Sequence, residues 1–255
     1  MLKVKNISIS FPDRSQQGPV LNNVSFEIPA GQVVGLVGPS GAGKSVLLKV
    51  VGGVLPPDAG DILRPPSRDP DAGEGVGFLF QEGALFDSLS VLENVAFPLR
   101  STRTSHGEID FDEAMQRAYA ILGAVGLSDA ALKMPGQLSG GMRRRVGIAR
   151  ALVGHPDLVL LDDPTGGLDP VAASVIMNLI SKLHQQYRPT VLMVSHDIRR
   201  LLPSVERVLA LFDGSIVCDV STTELRDKAP SNVLRFLATR YDFNHHASGP
   251  SDSRS

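Results

Sequence analysis

The sequence predicts an α/β fold built on a parallel sheet, and three features carry that prediction. Leu158–Leu161 and Val191–Val194 are continuous apolar runs, the pattern of strands covered on both faces. Between them, from about Val171 to Gln186, lies a helical stretch, so strand, helix and strand follow in order. Val33–Val37 is a third apolar run; it stops at Gly38, and Val46, Leu47, Leu48, Val50 and Val51 then recur at helical spacing, so a buried strand feeds a loop and a helix.

The remaining elements follow in chain order. Leu2, Val4, Ile7 and Ile9, then Val24, Phe26 and Ile28, are spaced like half-buried strands joined by a polar loop from Asp13 to Gly18. Residues 64–75, rich in Pro, Asp and Gly, read as an exposed loop. Phe78-Leu79-Phe80 is a short strand leading to Gln81, and from about 82 to 150 the character is helical. There Asp110 can cap a helix, with Glu113 three residues on. Phe111, Ala114, Met115, Ala118, Ile121, Leu122 and Val125 form its core-facing stripe, and Gly126 stops it. The C-terminal residues 244–255 have the composition of a disordered tail, and the two adjacent histidines within it read as solvated rather than as metal ligands.

Composition bounds the function. A chain of 255 residues can bury a substantial core as one large domain or two joined ones. The net charge of −2 supplies no basic excess, so nucleic acid is not an expected partner. Cys218 is the single cysteine, which permits a reducing setting. The first residues lack the apolar core of a signal peptide, and nowhere is there a run of about 18 apolar residues, so any membrane role is expected to run through a partner.

The chemistry is concentrated in a few segments. Residues 38–45 read GPSGAGKS, a full match to G-x-x-x-x-G-K-[ST], between a strand and a helix as that motif requires. Gly38, Gly41 and Gly43 let the backbone curl so that several N–H groups face one point, with Pro39, Ser40, Ala42 and Val46 completing the loop and its exit. Lys44 supplies a positive charge for the β- and γ-phosphates, and Ser45 an oxygen for Mg²⁺. Asp162 and Asp163 end an apolar strand at the edge where a parallel sheet binds ligands, Asp162 placed for Mg²⁺ and Asp163 for the attacking water. His196 ends the next strand in the same way and is placed for the γ-phosphate. Ser139 can cap a helix whose start, Gly140-Gly141, is left uncovered, a second anion site apart from the first.

In this order the motifs resemble those of the ABC ATPases over about residues 1–240. Leu138-Ser139-Gly140-Gly141-Met142 is similar to the LSGGQ signature, GPSGAGKS to the Walker A loop, LVLLDD to the Walker B strand and Gly167-Leu168-Asp169 to the D-loop. Phe11 looks like the aromatic that stacks on adenine, Gln81 like the Q-loop glutamine that senses Mg²⁺ and the permease, and His196 like the switch histidine. The resemblance implies a P-loop NTPase (RecA-like) core, residues 1–81 and 150–225, carrying an N-terminal antiparallel β-subdomain. It implies an inserted α-helical signature subdomain at 82–149 and a C-terminal helical extension at 226–243. It also implies ATP and Mg²⁺ as cofactors, with Asp169 among the nucleotide-binding residues, and a head-to-tail homodimer in which Ser139, Gly140 and Gly141 act on the partner's nucleotide. An integral membrane permease would dock near residues 82–99, placing the chain peripherally on the cytoplasmic face of the inner membrane.

Residues 79–100, Met134-Pro135-Gly136-Gln137 and Val233-Leu234-Arg235-Phe236-Leu237 resemble the ATPases of MCE-type lipid transport systems, the MlaF-like group. MCE-domain and STAS-domain subunits follow only from that resemblance. Phe236 and Leu237 fit either contact with a neighbouring ATPase or plain helix-face core, and Arg143-Arg144-Arg145 either a partner or acidic lipid, or more simply a solvated face. One departure stands out: the family places Glu after the Walker B Asp, and this chain has Asp163, about 1.5 Å shorter in reach. An importer ATPase for another solute, or a soluble nucleotide switch, are the competing readings.

Overall fold

The computed structural model describes residues 1–11, 18–65, 75–81, 83–101 and 109–241. The expected loops around 12–17 and 66–74, Glu82 and the tail beyond 241 lie outside the described residues.

The chain begins with β1 (Leu2–Ile9) and β2 (Leu21–Ile28), an antiparallel pair to which β4 (Ala59–Leu63) adds on the other edge of β1. The apolar spacing of β1 is two, three, two rather than a strict alternation. The register slips between Val4 and Ile7, where Asn6 takes φ 53°, so the extra residue turns Ile7 back onto the buried face beside Leu2 and Val4.

The second sheet runs β5-β6-β7-β3-β8-β9, from β3 (Val33–Val37), β5 (Val76–Leu79), β6 (Leu158–Asp162), β7 (Thr190–Val194), β8 (Arg207–Phe212) and β9 (Ser215–Ser221). Its first five strands are parallel and β9 is antiparallel to β8. Residue parity splits the core. Val34, Leu36, Leu158, Leu160, Leu192 and Val194 face α1 (Lys44–Val51) and the three-stranded sheet. Val33, Val37, Val159, Leu161, Val191 and Met193 face the helices on the other side, among them α4 (Gly140–Leu152) and α5 (Pro170–Tyr187). Burial on both faces is why these strands read as unbroken apolar runs. The strand expected at Phe78–Phe80 is β5, ending at Leu79, and the sequence reading does not include β4, β8 or β9.

The helical stretch holds α2 (Val91–Ser101), α3 (Phe111–Ala124) and α4. Asp110 caps α3 by accepting from the amides of Asp112 and Glu113, while the Glu113 carboxylate pairs with Arg117 one turn on. Two expectations are corrected here. Phe111 is not core: it opens α3 at 51% exposure, and the Arg100 guanidinium lies 4.9 Å over its ring. Arg143–Arg145 do not form one solvated face. Successive helical residues are about 100° apart, so Arg144 turns inward, buried, and donates to the Gly166 carbonyl at 2.9 Å.

After the short helices α6 (Ile198–Leu201) and α7 (Leu225–Lys228) comes α8 (Ser231–Ala238). Val233 and Leu237 are buried in the chain's own core, and Phe236 meets Phe212 edge to face at 5.6 Å. Of the two uses open to Leu237, this is the helix-face core.

Candidate nucleotide site

The phosphate loop joins the carboxyl end of β3 to α1. Glycine is required by space as well as by φ. A Cβ on Gly38 would lie 2.0 Å from the Leu211 carbonyl oxygen, and one on Gly43, at φ 99°, 2.9 Å from the Val20 oxygen. The loop can therefore press against β8 and the end of the Val20 segment. Gly43 is the N-cap of α1; no side chain covers it and no acid sits in the first turn, which leaves the helix end open to an anion.

A cleft of about 520 Å³ lies over this helix end, lined by Phe11, Ser40, Gly41, Gly43, Lys44, Ser45, Val46 and His196. Phe11 reaches it from the end of β1, and His196, exposed, from the end of β7. The Lys44 ammonium donates to the carbonyls of Gly38 at 2.8 Å and Pro39 at 2.7 Å, while Ala42 is buried in the same turn. Burial pulls the Lys44 pKa below its ordinary value, against the attraction of Asp162; the Arg240 guanidinium adds to the lowering.

Asp162 ends β6 next to β7 and accepts from the Ser45 hydroxyl at 3.1 Å. Burial raises its pKa, opposed by the Ser45 hydrogen bond and reinforced by Asp163. Asp163 is buried with φ 46°, a left-handed backbone that Asp tolerates better than most residues. Its amide donates to Val194, and its carbonyl accepts from Gly166. A Cβ on Gly166 would stand 2.3 Å from Asp163 Oδ2, so the carboxylate rests directly on that glycine.

Other expected residues stand apart from this cleft. Ser139 caps α4 as expected, accepting from the Met142 amide at 3.2 Å. The exposed Ser139 and Gly140 and the half-exposed Gly141 lie beside Leu168 and Ala172 rather than in the cleft lined by their own phosphate loop. Asp169 caps α5, accepting from the amides of Val171 and Ala172 at 2.9 Å. Gln81 is exposed just past β5, at the same sheet edge, and does not line the cleft. Sequence reasoning missed Arg144, Gly166 and Arg240. No short motif marks them, because each acts on a segment distant in sequence or through a single backbone contact.

The ABC transporter family pattern matches residues 21–166, more than half of the chain. The chain belongs to the ABC transporter family. It is an ABC ATPase, as its relatives are. It is 34% identical over 250 residues to the intermembrane phospholipid transport system ATP-binding protein MlaF of Haemophilus influenzae, covering 95% of this chain and 92% of that protein. It is also 34% identical to the methionine import ATP-binding protein MetN of Carboxydothermus hydrogenoformans, covering 88% of this chain and 67% of that one. Among solved structures, a dimeric post-hydrolysis state of the ATP-binding cassette MJ0796 bound to ADP and Pi superposes with a TM-score of 0.74. Its sequence is 33% identical, and the match covers 87% of this chain and 99% of that one. In this ABC ATPase the phosphate loop, Asp162, Asp163 and His196 thus meet at one sheet edge, and α4 starts elsewhere on the surface. Among the described residues no helix is long and apolar enough to cross a membrane.

Proposed function

We propose that this ABC ATPase powers a membrane permease that moves phospholipid between membranes, working as a head-to-tail homodimer on the cytoplasmic face of the inner membrane. The observation that carries the pairing is the separation of Ser139–Gly141 from the cleft at Lys44: a helix end open to phosphate needs a nucleotide held by a second copy. The neighbouring cassette's dimeric state supports the same arrangement. For the permease, a cavity of about 470 Å³ is lined on one side by Ala84, Phe86, Phe97 and Pro98 of the expected 82–99 region and on another by Phe78 and Phe80, and offers an apolar seat. Lipid as cargo is favoured by the near-full-length likeness to MlaF, and MCE-domain and STAS-domain partners belong to that same reading. An importer for another solute is the second reading, favoured by the likeness to MetN.

In this reading the adenine stacks on Phe11, and backbone N–H groups between Ser40 and Val46 cradle the phosphates. Lys44 exchanges its two loop carbonyls for phosphate oxygens. Asp163 orients the attacking water, and His196 holds the γ-phosphate. Ser139, Gly140 and Gly141 of the second copy close over it, with Asp169 at the junction. Ser45 and Asp162 suit Mg²⁺; Gln81, exposed outside the cleft, would have to move in to join them. Their hard oxygens lie side by side, and the buried Asp162 carboxylate has a raised pKa that a cation would relieve. When bound, Mg²⁺ neutralises charge on the transferring phosphoryl group. The division into a domain over 1–240, with a helical subdomain at 82–149 and an extension at 226–243, is part of the same proposal.

Affinity purification of the tagged chain from its native membrane, followed by a phospholipid transfer assay on the recovered complex, tests this. A permease that moves lipid in an ATP-dependent way is expected. A permease specific for an amino acid or an inorganic anion would overturn the lipid reading, and no permease at all the transport reading.

A further inference from the structure

A second cavity, of about 930 Å³, adjoins the nucleotide cleft and shares His196 with it. Asp163 and the Gly166-Gly167 turn form one wall. The other carries Arg199 and Arg200, and Arg240, just past the end of α8, lines the cavity with them. Asp197, the other acid in its lining, is already paired with Arg200, which also donates to the Pro170 carbonyl at 3.2 Å. Among the described residues no carboxylate pairs with Arg199 or Arg240. The cations are held in place: Arg199 Nε donates to the Arg240 carbonyl at 3.1 Å, and the Arg240 guanidinium lies 4.4 Å over Phe236, on a helix anchored by the buried Val233 and Leu237.

We propose that this outer cavity receives the inorganic phosphate released by hydrolysis, with Arg199 and Arg240 as its cations. The inference rests on the reading that Asp163 and His196 flank the γ-phosphate. Once the bond to ADP is broken, two anions share one cleft and repel. The phosphate lies against His196, and the cavity beyond His196 is where positive charge is gathered.

Equilibrium dialysis of labelled inorganic phosphate against the full-length protein, at saturating magnesium and ADP, tests it. Arg240→Gln and Arg199→Gln are each expected to weaken phosphate binding by about fivefold, the upper range for a partly exposed charge, with ADP affinity unchanged. Arg240→Lys restores most of the loss, which a merely structural role would not predict. High salt weakens binding by the parent protein more than by the variants. Phosphate affinity unchanged in both Gln variants, or Lys no better than Gln, overturns the proposal. So does a shift in dimerisation with phosphate affinity intact, which would assign these cations to a second copy. Failure of the underlying reading looks different: the parent then fails to bind ADP with magnesium, or Lys44→Ala leaves that binding intact.

Discussion

Gly166→Ala isolates the placement of the Asp163 carboxylate. Alanine's Cβ would sit 2.3 Å from Asp163 Oδ2 and 2.9 Å from its Cγ, whereas ordinary contact begins at 3.4 Å. The carboxylate or the loop must therefore give by 3.4 − 2.3 = 1.1 Å. A misplacement of about 1 Å at a reacting group costs on the order of a hundredfold in rate. Turnover at saturating Mg·ATP is thus expected to fall about a hundredfold, while nucleotide affinity, read with a fluorescent ATP analogue, stays near the parent value, since Gly166 does not line the nucleotide cleft. Gly167→Ala is the control: it sits at φ 72°, but its Cβ meets nothing within 4 Å, so it strains the loop without touching Asp163. In an Asp163→Asn background, adding Gly166→Ala should cost little more, because both changes act through one group. Turnover of Gly166→Ala within about threefold of the parent, a loss of under 1 kcal/mol, or a loss no larger than that of Gly167→Ala, would refute the reasoning.

Other consequences follow from single observations. The Asp162 pKa is raised by burial, so its ionised form opposes folding above that pKa, and the penalty fades as pH falls through it towards the ordinary value of 3.8. Asp162→Asn should accordingly raise the melting temperature of the nucleotide-free protein at neutral pH and flatten the acid side of its stability profile, while removing magnesium-dependent turnover; an unchanged or lower melting temperature counts against it. Phe11→Ala should weaken ATP and GTP binding alike by about tenfold or more, the scale of base–aromatic stacking; a loss confined to one base points to edge recognition instead. Gly77→Ala would put a Cβ 1.8 Å from the Ala151 carbonyl oxygen, between β5 and α4. Overpacking on that scale should cost on the order of 3 kcal/mol, seen as a fall of several degrees in melting temperature; wild-type melting would mean that α4 can move away freely.

How legible each feature is in the sequence depends on how local its cause is. The phosphate loop is eight consecutive residues whose chemistry dictates their types, so Gly38 to Ser45 are recognisable from residue type and spacing alone. The strands at Leu158 and Val191 announce themselves because both faces are covered. β4 does not: AGDIL has no fully buried residue and is held as a strand by pairing with β1, which no local pattern records. β9, with only Cys218 buried, is hidden for the same reason. Arg144 misleads because a run of three arginines looks solvated, and its burial depends on the Gly166 carbonyl 22 residues away. Phe111 misleads in the opposite direction: periodicity assigns it to the core stripe, but as the first residue of α3 it extends past the packed turns.

The shortened carboxylate at position 163 takes on a definite meaning in this setting. With φ 46° the backbone there is left-handed, which Asp tolerates and longer side chains favour less. Its amide bonds to Val194, and its carboxylate rests on Gly166, so little freedom is left in the side chain itself. The position of the charge is then set by the loop from Asp163 to Gly166 more than by a rotamer choice. That loop is tied in turn to α4, through the buried Arg144 and the Gly166 carbonyl. α4 begins at the capped, open end at Ser139. A longer acid could adjust its own reach, but this one depends on where α4 holds the loop. Arg144 therefore links the helix that starts at Ser139 to the loop that carries the Asp163 carboxylate of the same chain.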